Sequence, residues 1–504
     1  MKFTCSLTRT TLSLSKFYCQ HLKLLNMKKT WPNILICRHF GQPVAQTHPH
    51  LINDGEVTPG LTKSEFLSRR IRLVEKARRT FKGVKTVKDH ILIIPGASKV
   101  FMTNDIPYPF RQNTDFLYLC GFQEPDSVLV LKTGNETSER NHTSCLFVPE
   151  KDPEKELWDG LRSGTGGALE LTGVDLTYDI KLFEEFLNNF CKLNSGFVLW
   201  YNFLRPVNPK IHNSVTQGMM LESKYKCMED PTRLCQQLRV IKSPAEIELM
   251  TQSVETASQA FIDVMKFSSP EVNESALYAK MDYECRIREA EFLAYPPVVA
   301  GGQRANIIHY INNNQQIKGG EMVLMDAGCE YHGYTSDITR TWPVSGKFSP
   351  AQEKLYNGVL SVQVACINLC TVQFSLDQVY HAMLTFIGQQ LQLLGLVEPN
   401  LQTSKLMQKV KEFCPHHVSH YLGMDVHDTG EISRSINLQP GMIVTVEPGI
   451  YIKESDTSVP EEFRGIGIRI EDDVLITETK PIVLSSSCPK TVEDIESVMT
   501  SSFG

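Results

Sequence analysis

GEMVLMDAG, residues 320–328, decides the fold because a second stretch, GMIVTVEPG at 441–449, aligns with it without a gap. Each stretch is an apolar run that begins at a glycine and reaches an acid six residues later, Asp326 in the first and Glu447 in the second. Strand-like runs seldom end in an acid, because burying an unpaired carboxylate is costly. The alignment therefore predicts two copies of one structural unit, with an acid at the same place in each.

Other features recur in the same order on both sides of this alignment. SPAEIELM begins at Ser243 and SPAQEKLY at Ser349, and each combines an N-cap serine, a proline in the first helical turn and Glu or Gln three residues after the cap. A second helical stretch follows each start, and a His-Tyr pair lies upstream of each strand, at 309–310 and 420–421. Matching caps, histidines and acids predict an internal duplication, with two halves related by a pseudo-twofold axis.

Each half also contains a second acidic strand, since YTSDITRT carries Asp337 and IGIRIEDD carries Glu471. A turn in the intervening chain lets Asp326 and Asp337 face each other from antiparallel strands. In IGIRIEDD, the two-residue period of a strand places Arg469 and Glu471 on the same face. If the halves pair about the pseudo-twofold axis, four carboxylates meet between them, those of Asp326, Asp337, Glu447 and Glu471.

Four carboxylates in one pocket repel one another and become neutral unless cations are present. A pair of divalent metal ions removes this repulsion, and an oxygen-rich site with one imidazole favours Mn²⁺, with Co²⁺ and Zn²⁺ as alternatives. His420 is the expected fifth ligand, and Arg469 is expected to hold a ligand carboxylate from outside the metal site. His309, His416 and His427 remain for substrate binding and proton transfer. The local motif H-E-x-x-H is absent, so the repeat carries this prediction.

The length and the pattern of the upstream sequence predict a second domain. A chain of 504 residues is too long for one ordinary core. Upstream of Ser243, strand-like runs such as HILIIPGA and SVLVLKTG alternate with helical stretches such as LFEEFLNNFCKLN, and no catalytic cluster is evident. We predict a smaller α/β domain over 55–238 and a catalytic domain over 240–504.

The N-terminal 50 residues have the composition of a mitochondrial presequence. They contain seven Lys or Arg residues, no Asp or Glu, and many Ser and Thr, and Lys16 and Lys23 interrupt the apolar core that a secretory signal needs. We predict a presequence over 1–50, cleaved between 31 and 54, with a disordered basic tail as the alternative. Met27 offers a second start, which would give a cytosolic form without most of the leader.

The remaining composition argues against several classes of protein. Without the leader, 44 basic residues face 57 acidic ones, which is unfavourable for a general nucleic-acid-binding surface. No apolar run approaches the length of about 18 residues that spans a bilayer, so we expect no membrane insertion. The 14 cysteines are scattered, with no C-x-x-C pair, which suits free thiols in a reducing compartment.

Three C-terminal stretches, HHVSHYLGMDVHDTG, LQPGMIVTVEPGIYI and FRGIGIRIEDDVLITET, strongly resemble the pita-bread metallopeptidases, especially aminopeptidase P. The stretch PYPFRQNTDFLYLCGFQEPDSVLVL resembles the creatinase/prolidase-type N-terminal domain of that group. The resemblance covers roughly residues 60–500. It implies an α+β fold, in which a smaller α/β domain precedes a pita-bread catalytic domain with a pseudo-twofold repeat. Together with the basic leader, it implies a mitochondrial member of the group.

The resemblance also implies roles for individual residues. His309 and His427 match active-site histidines that contact the substrate and stabilise the tetrahedral intermediate. Tyr295 matches a position that lines the substrate site, and Arg469 matches the arginine beside the metal ligands. His416 is a further expected substrate contact. The five dimetal ligands of the family correspond to Asp326, Asp337, His420, Glu447 and Glu471.

The implied reaction is hydrolysis of the first peptide bond of a peptide whose second residue is proline. Glu447 would act as the base, His427 would stabilise the oxyanion, and His309 would orient the carbonyl on the proline side. The resemblance further implies a homodimer and a role in trimming imported mitochondrial proteins. His417 stands where relatives often have Gly, and Tyr421 where some have Trp, so we expect the pocket to differ in detail.

Two other functions are compatible with the same fold. A prolidase cleaves dipeptides only and typically carries a long insertion before the arginine strand, whereas IYIKESDTSVPEEFRG at 450–465 is short. Methionine aminopeptidases usually lack the N-terminal domain. A non-catalytic binding module would be expected to have lost metal ligands, and here all five are retained.

Overall fold

The structure is a computed structural model, and it describes residues 40–81, 89–133, 142–194, 196–220 and 225–500. Residues 1–39 of the predicted presequence lie outside the described residues. No helix in the described ranges is long and apolar enough to cross a membrane. All eleven cysteines in these ranges are free thiols, as their scattered spacing predicts.

Helices and strands alternate in the upstream half of the chain, which is the part before Ser243. In the downstream half, which begins at Ser243, they come in longer blocks. The α-helices of the described residues are α1 Lys63–Thr80, α2 Thr114–Cys120, α3 Pro153–Asp159, α4 Gly164–Thr172, α5 Phe183–Leu193, α6 Pro209–Met220, α7 Thr232–Arg239, α8 Pro244–Phe267, α9 Glu274–Arg286, α10 Pro350–Leu369, α11 Leu376–Leu393, α12 Thr403–Phe413 and α13 Val492–Thr500. The first eight strands are β1 Glu56–Thr58, β2 Leu61–Thr62, β3 Asp89–Pro95, β4 Val128–Lys132, β5 Thr143–Val148, β6 Leu176–Asp179, β7 Gly196–Trp200 and β8 Tyr225–Glu229. The others are β9 Phe292–Leu293, β10 Val298–Gly301, β11 Met322–Ala327, β12 Cys329–Tyr331, β13 Tyr334–Thr335, β14 Ile338–Pro343, β15 Ile443–Val446, β16 Gly449–Tyr451, β17 Gly467–Arg469, β18 Asp472–Leu475 and β19 Ile482–Val483.

Strands β3–β8 form one six-stranded mixed sheet, in the order β6-β5-β4-β3-β7-β8. The continuous apolar run of β3 is explained by helices on both faces, since a sheet covered on both sides needs no polar face. Ile91 and Ile93 belong to an apolar cluster that includes Phe183 of α5. Leu92 and Ile94 point to the other face, where they join a cluster that includes side chains of α1 and α2. The strands and helices predicted from HILIIPGA, SVLVLKTG and LFEEFLNNFCKLN are all present.

The internal duplication predicted from the sequence is visible in the downstream half. Ser243 and Ser349 each form a complete capping box at the start of α8 and α10. Gly320 and Gly441, the first residues of the two aligned stretches, have φ angles of 88° and 86°, a left-handed conformation that favours glycine. Both glycines precede an antiparallel pair of strands, β11–β14 and β15–β18. The two halves therefore repeat both their helix caps and their strand pairs.

The two halves meet at Thr339 and Glu471, which form an isolated antiparallel bridge. The Glu471 N–H donates to the Thr339 carbonyl oxygen at 3.0 Å, and the Thr341 hydroxyl donates to the Arg469 carbonyl oxygen at 3.0 Å. The two halves differ in one detail from the predicted repeat. Glu447 lies in a break between β15 and β16, whereas Asp326 lies within β11. The physical reason is the following residue, Pro448, which has no N–H to donate to a neighbouring strand.

Gly41, Gln42 and Val44, near the end of the predicted presequence, contact the upstream half. The Gln42 side-chain amide donates to the Gly121 carbonyl oxygen at 3.2 Å, and its side-chain oxygen accepts from the Gln123 N–H at 2.8 Å. The Gly41 N–H donates to the Ser163 hydroxyl at 3.1 Å. Val44 is buried. A cleavage within the predicted window that falls after Val44 would remove all these contacts.

We therefore expect a chain that begins at Phe40 to be more stable than one that begins at Leu51. The loss of three hydrogen bonds, two of them only partly buried, and of one buried valine corresponds to about 3 kcal/mol of unfolding free energy. Urea denaturation of the two chains measures this difference. In the longer chain, Gln42→Ala should lower stability and the exposed Gln46→Ala should not; equal effects would contradict the observed packing.

Candidate metal centre

The structure brings the five predicted metal ligands to one cavity of about 300 Å³. Asp326 is in β11, Asp337 directly precedes β14, and Glu471 directly precedes β18. Glu447 follows β15, and the main chain of His420 bonds to the same region, since the Thr445 N–H donates to the His420 carbonyl oxygen at 3.0 Å. The strand pairs of the two halves thus deliver two acids each, as the repeat predicts.

Asp337, His420 and Glu471 present ligand atoms that all lie within 4.8 Å of one another. The His420 Nε2 atom is 3.3 Å from Asp337 Oδ2 and 3.8 Å from Glu447 Oε1. The other ring nitrogen, Nδ1, lies 3.1 Å from the Tyr421 carbonyl oxygen, so Nδ1 carries the proton. Nε2 therefore faces the acids and would offer its electron pair to a cation bound among them, which is the arrangement of a metal-binding histidine.

Tyr295 and Arg469 bind the acids of the first half. The Tyr295 hydroxyl lies 2.6 Å from Asp326 Oδ1 and 2.5 Å from Asp337 Oδ1, so the two carboxylates share one donor. Arg469 donates from Nη2 to Asp326 Oδ2 at 2.5 Å and from Nε to the Thr339 hydroxyl at 3.2 Å. Both side chains therefore fix the orientation of Asp326 from outside the cluster of acids.

The acids cannot all be ionised at neutral pH without cations. Burial and the charges of neighbouring carboxylates raise the pKa of Glu471 well above its ordinary value. Burial raises the pKa of Glu447 to about 7, although His420 and Arg469 oppose the shift. Burial also raises the pKa of Asp326, despite Arg469. Two divalent cations would supply the missing positive charge, so the residues present fit a dimetal centre.

The three remaining predicted histidines take different positions. His309 and His427 line the cavity, and the His427 ring centroid is 4.5 Å from that of His420. Burial lowers the pKa of His427, which keeps its ring neutral. His416 is not among the residues that line the cavity; its Nδ1 atom lies 3.8 Å from Glu447 Oε2, and its Nε2 atom lies 2.8 Å from the Tyr451 hydroxyl. Burial lowers the pKa of His416 to about 4.

Two parts of the site were not predicted from the sequence. The first is a buried acid, Asp473, whose Oδ2 atom accepts the Asp337 N–H at 3.0 Å. The two-residue period of IGIRIEDD could have indicated it, because Asp473 shares a face with Glu471. The second group is the apolar lining of the cavity, for which the sequence offers no signal except its proximity to Tyr295 and the histidines. Its members are Pro296, Val298, Ile308, Ile311 and Val426.

Comparisons with known proteins agree with this architecture. Residues 248–478 match metallopeptidase family M24, and residues 66–200 match the aminopeptidase P N-terminal domain. Xaa-Pro aminopeptidase 3 of Rattus norvegicus is 49% identical over 465 residues, which cover 92% of this chain and 90% of that protein. The chain belongs to metallopeptidase family M24. Its predicted resemblance to aminopeptidase P is confirmed.

Two further M24 proteins extend the comparison. The mitochondrial intermediate cleaving peptidase 55 of Arabidopsis thaliana is 39% identical over 462 residues, which cover 92% of this chain and 88% of that protein. The structure of Zn-substituted E. coli aminopeptidase P in complex with product superposes with a TM-score of 0.79 at 33% identity, over 88% of this chain and 99% of that one. The predicted α+β pita-bread fold, with an aminopeptidase P N-terminal domain, is therefore confirmed.

The raised pKa of Glu447 predicts how pH affects the stability of this M24 chain when a chelator is present. In the unfolded chain Glu447 ionises near pH 4.5, whereas in the folded chain it holds its proton up to about pH 7. At this one carboxyl the folded state then binds more protons across the window, so the contribution of Glu447 to the unfolding free energy falls as the pH rises from 4.5 to about 7. Chemical denaturation at several pH values in EDTA measures the slope.

Two variants and one addition test the assignment. Glu447→Gln should remove the contribution of this carboxyl to the slope, and the exposed Glu462→Gln should leave the slope unchanged. Saturating Mn²⁺ should also remove the contribution of Glu447, because bound cations favour the ionised acids. Equal pH dependences of the wild-type protein and of Glu447→Gln in EDTA would contradict the assignment.

Proposed function

We propose that the protein is a dimetal-dependent exopeptidase that releases the N-terminal residue from peptides or proteins, preferentially when the second residue is proline. The observation that carries this proposal is the convergence of four carboxylates and one histidine in a single cavity of an M24 chain. Relatives with nearly half of their residues identical are named Xaa-Pro aminopeptidase 3, which supports the choice of reaction.

The proposed metal site consists of the five residues that were predicted from the repeat. Two divalent ions there would polarise the scissile carbonyl and lower the pKa of a water molecule, with Mn²⁺ as the proposed metal and Co²⁺ or Zn²⁺ as alternatives. The proposed ligands are Asp326, Asp337, His420, Glu447 and Glu471.

The protein's own side chains would then handle the substrate and the protons. Glu447 faces the cavity and would orient the attacking water and accept its proton. His427 is neutral, so its ring N–H can donate to the oxygen of the scissile carbonyl as negative charge develops there. His309 would orient the carbonyl on the proline side, and Tyr295 would line the substrate site. His416 has Nε2 beside Tyr451, so a contribution to substrate binding would act through its position next to Glu447.

The chemistry of the X-Pro bond suits this cavity. The bond is a tertiary amide without an N–H, so a site that selects it cannot depend on that donor. Apolar side chains of Pro296, Val298 and Ile311 lie in the cavity with the acids and offer a surface for the pyrrolidine ring. The same cavity would also suit a prolidase, which would act on dipeptides only.

Peptide hydrolysis with added Mn²⁺ separates these activities. We expect X-Pro-Y tripeptides to be cleaved with a kcat/KM about tenfold or more above that of X-Ala-Y peptides, and X-Pro dipeptides to be cleaved poorly. Glu447→Gln should lower kcat about a hundredfold or more, because it removes the proposed base. Cleavage confined to dipeptides would identify a prolidase, and a metal-free, inactive protein would indicate a binding module.

We further propose that the enzyme acts in the mitochondrial matrix and trims imported proteins, whether or not proline follows the released residue. The basic, acid-free leader and the relatives named intermediate cleaving peptidase 55 support this location. Because Gln42 and Val44 are buried in the folded chain, we propose that the presequence is cleaved before Phe40, in the first part of the predicted range of 31 to 54. A start at Met27 would supply the proposed cytosolic form.

We also propose a homodimer, since a patch of apolar side chains is exposed on the upstream half. Residues 100–108 form a hairpin, in which the Met102 N–H donates to the Ile106 carbonyl oxygen at 2.8 Å. Lys99 Nζ lies 2.8 Å from Asp159 Oδ1, which joins this hairpin to α3. The exposed fractions are 65% for Val100, 49% for Phe101, 52% for Met102, 82% for Leu157 and 86% for Trp158. Exposed patches of this kind mark interaction sites.

A charge placed in this patch should weaken the dimer. We expect Phe101→Glu combined with Leu157→Glu to raise the dimer dissociation constant about tenfold or more, as measured by analytical ultracentrifugation. Leu204→Glu is the matched control, because Leu204 is 89% exposed and lies outside the patch. A monomeric wild-type protein, or an equal effect of the control, would contradict the proposal.

A further inference from the structure

The loop GMDVHD, residues 423–428, connects the candidate active site to the upstream half of the chain. Val426 and His427 line the cavity. Their neighbours in the sequence, Asp425 and Asp428, instead bond to arginines from the upstream half. The backbone of His427 therefore lies between two residues that are held from outside the active site.

Arg239, the last residue of α7, binds both of these acids. Its Nη2 atom donates to Asp425 Oδ2 at 2.7 Å and to Asp428 Oδ1, and its Nη1 atom donates to Asp115 Oδ1 at 2.8 Å. Only 5% of the Arg239 side chain is exposed. A planar guanidinium with several fixed donors can hold three carboxylates in one geometry, which a lysine ammonium cannot reproduce.

Arg111 binds the same loop from a second direction. Its Nη2 atom donates to the Met424 carbonyl oxygen at 2.7 Å and to Asp425 Oδ1 at 3.1 Å. Its Nε atom donates to Glu330 Oε2 at 2.6 Å, and Glu330 lies in the hairpin between Asp326 and Asp337. Burial opposes ionisation of Asp425, but Arg239 and Arg111 outweigh it and hold the pKa of this carboxyl below its ordinary value.

The present conformation of the loop depends on these contacts. Gly423 has no room for a side chain, because a Cβ atom there would overlap Asp428 Oδ2. Thr429 has a φ angle of 49°, a left-handed conformation that is unfavourable for a β-branched residue. Such a backbone persists only where the surrounding contacts over-determine it.

We infer that Arg239 and Arg111 are positioning residues that place His427 over the cavity. The inference rests on the proposed function, in which His427 donates to the scissile carbonyl. The upstream half would then position an active-site residue of the downstream half, since Arg111, Asp115 and Arg239 all precede α8. It also explains why two residues that never reach the cavity carry so many charge-assisted hydrogen bonds to one loop.

The test is a double-mutant cycle with the metal-loaded protein. Arg239→Lys keeps the charge but loses the planar fork, and Arg111→Gln changes a side chain that is 42% exposed, so the second variant remains informative if the first does not fold. Each is made alone and with His427→Ala, and kcat and KM are measured on an X-Pro-Y tripeptide. The control is Arg288→Gln, since Arg288 forms ion pairs with Asp263 and Glu284 and does not contact the loop.

We expect each arginine variant to lower kcat about tenfold or more, with KM and metal content nearly unchanged, because a small misplacement of an active-site group is costly. In the His427→Ala background the same substitutions should lower kcat less than about twofold, since they act through the residue already removed. An equal loss in both backgrounds, or no loss, would overturn the inference. A purely structural role would lower the melting temperature alone.

Crystal structures of the variants separate this inference from the proposed function. We expect the His427 ring to move away from its present position, 4.5 Å from His420 between ring centroids, while Asp326 and Asp337 stay in place. An unmoved His427 would overturn the inference whatever the activity. If the wild-type protein cleaved no peptide, the proposed function would fail, and the position of His427 alone would decide the role of the arginines.

Discussion

Mutual repulsion among four carboxylates, in a cavity of about 300 Å³, is the constraint on which the catalytic half depends. Without cations, four ionised carboxylates at this distance are unstable, as the raised pKa values of Glu447 and Glu471 show. The chain brings the acids together nonetheless, through strand pairing within each half and through the bridge between Thr339 and Glu471. The cost is consistent with a site that is completed by divalent cations.

The internal duplication delivers the acids, but it does not make the site symmetric. Asp326 lies within a strand, whereas Glu447 lies in a break before Pro448. Arg469 bonds to Asp326, while His420 lies closest to Asp337 and Glu447. One side of the cavity is therefore held by a permanent cation and the other by an imidazole. This difference would give two ions bound in the same cavity different surroundings.

The upstream half is connected to the site by charges as well as by apolar packing. Arg69 of α1 is fully buried, and its Nη2 atom lies 3.4 Å from Glu246 Oε1 and 3.4 Å from the Tyr334 hydroxyl, in the hairpin between Asp326 and Asp337. Arg239 and Arg111 act on the loop of His427 in the same way. Buried ion pairs of this kind add little net stability compared with apolar packing, but they fix geometry. An M24 catalytic half with such contacts depends on its neighbour for the arrangement of its loops.

The amino-acid sequence by itself determined the elements that depend on near neighbours in the chain. The capping boxes of Ser243 and Ser349, the strands around Asp326 and Glu471, and the pairing of two acids per half follow from local periods and from the repeat. The match to the M24 family also follows from the sequence. These features are predictable because each is set by residues within a few positions of one another.

Only the tertiary structure decided which side chains orient the site. Tyr295 between two aspartates and the position of His416 outside the cavity have no local signature in the sequence. The contacts of Arg239 join residues 124, 186 and 189 positions apart. Such contacts are set by the packing of whole elements, and a single sequence carries no record of which distant charges will meet.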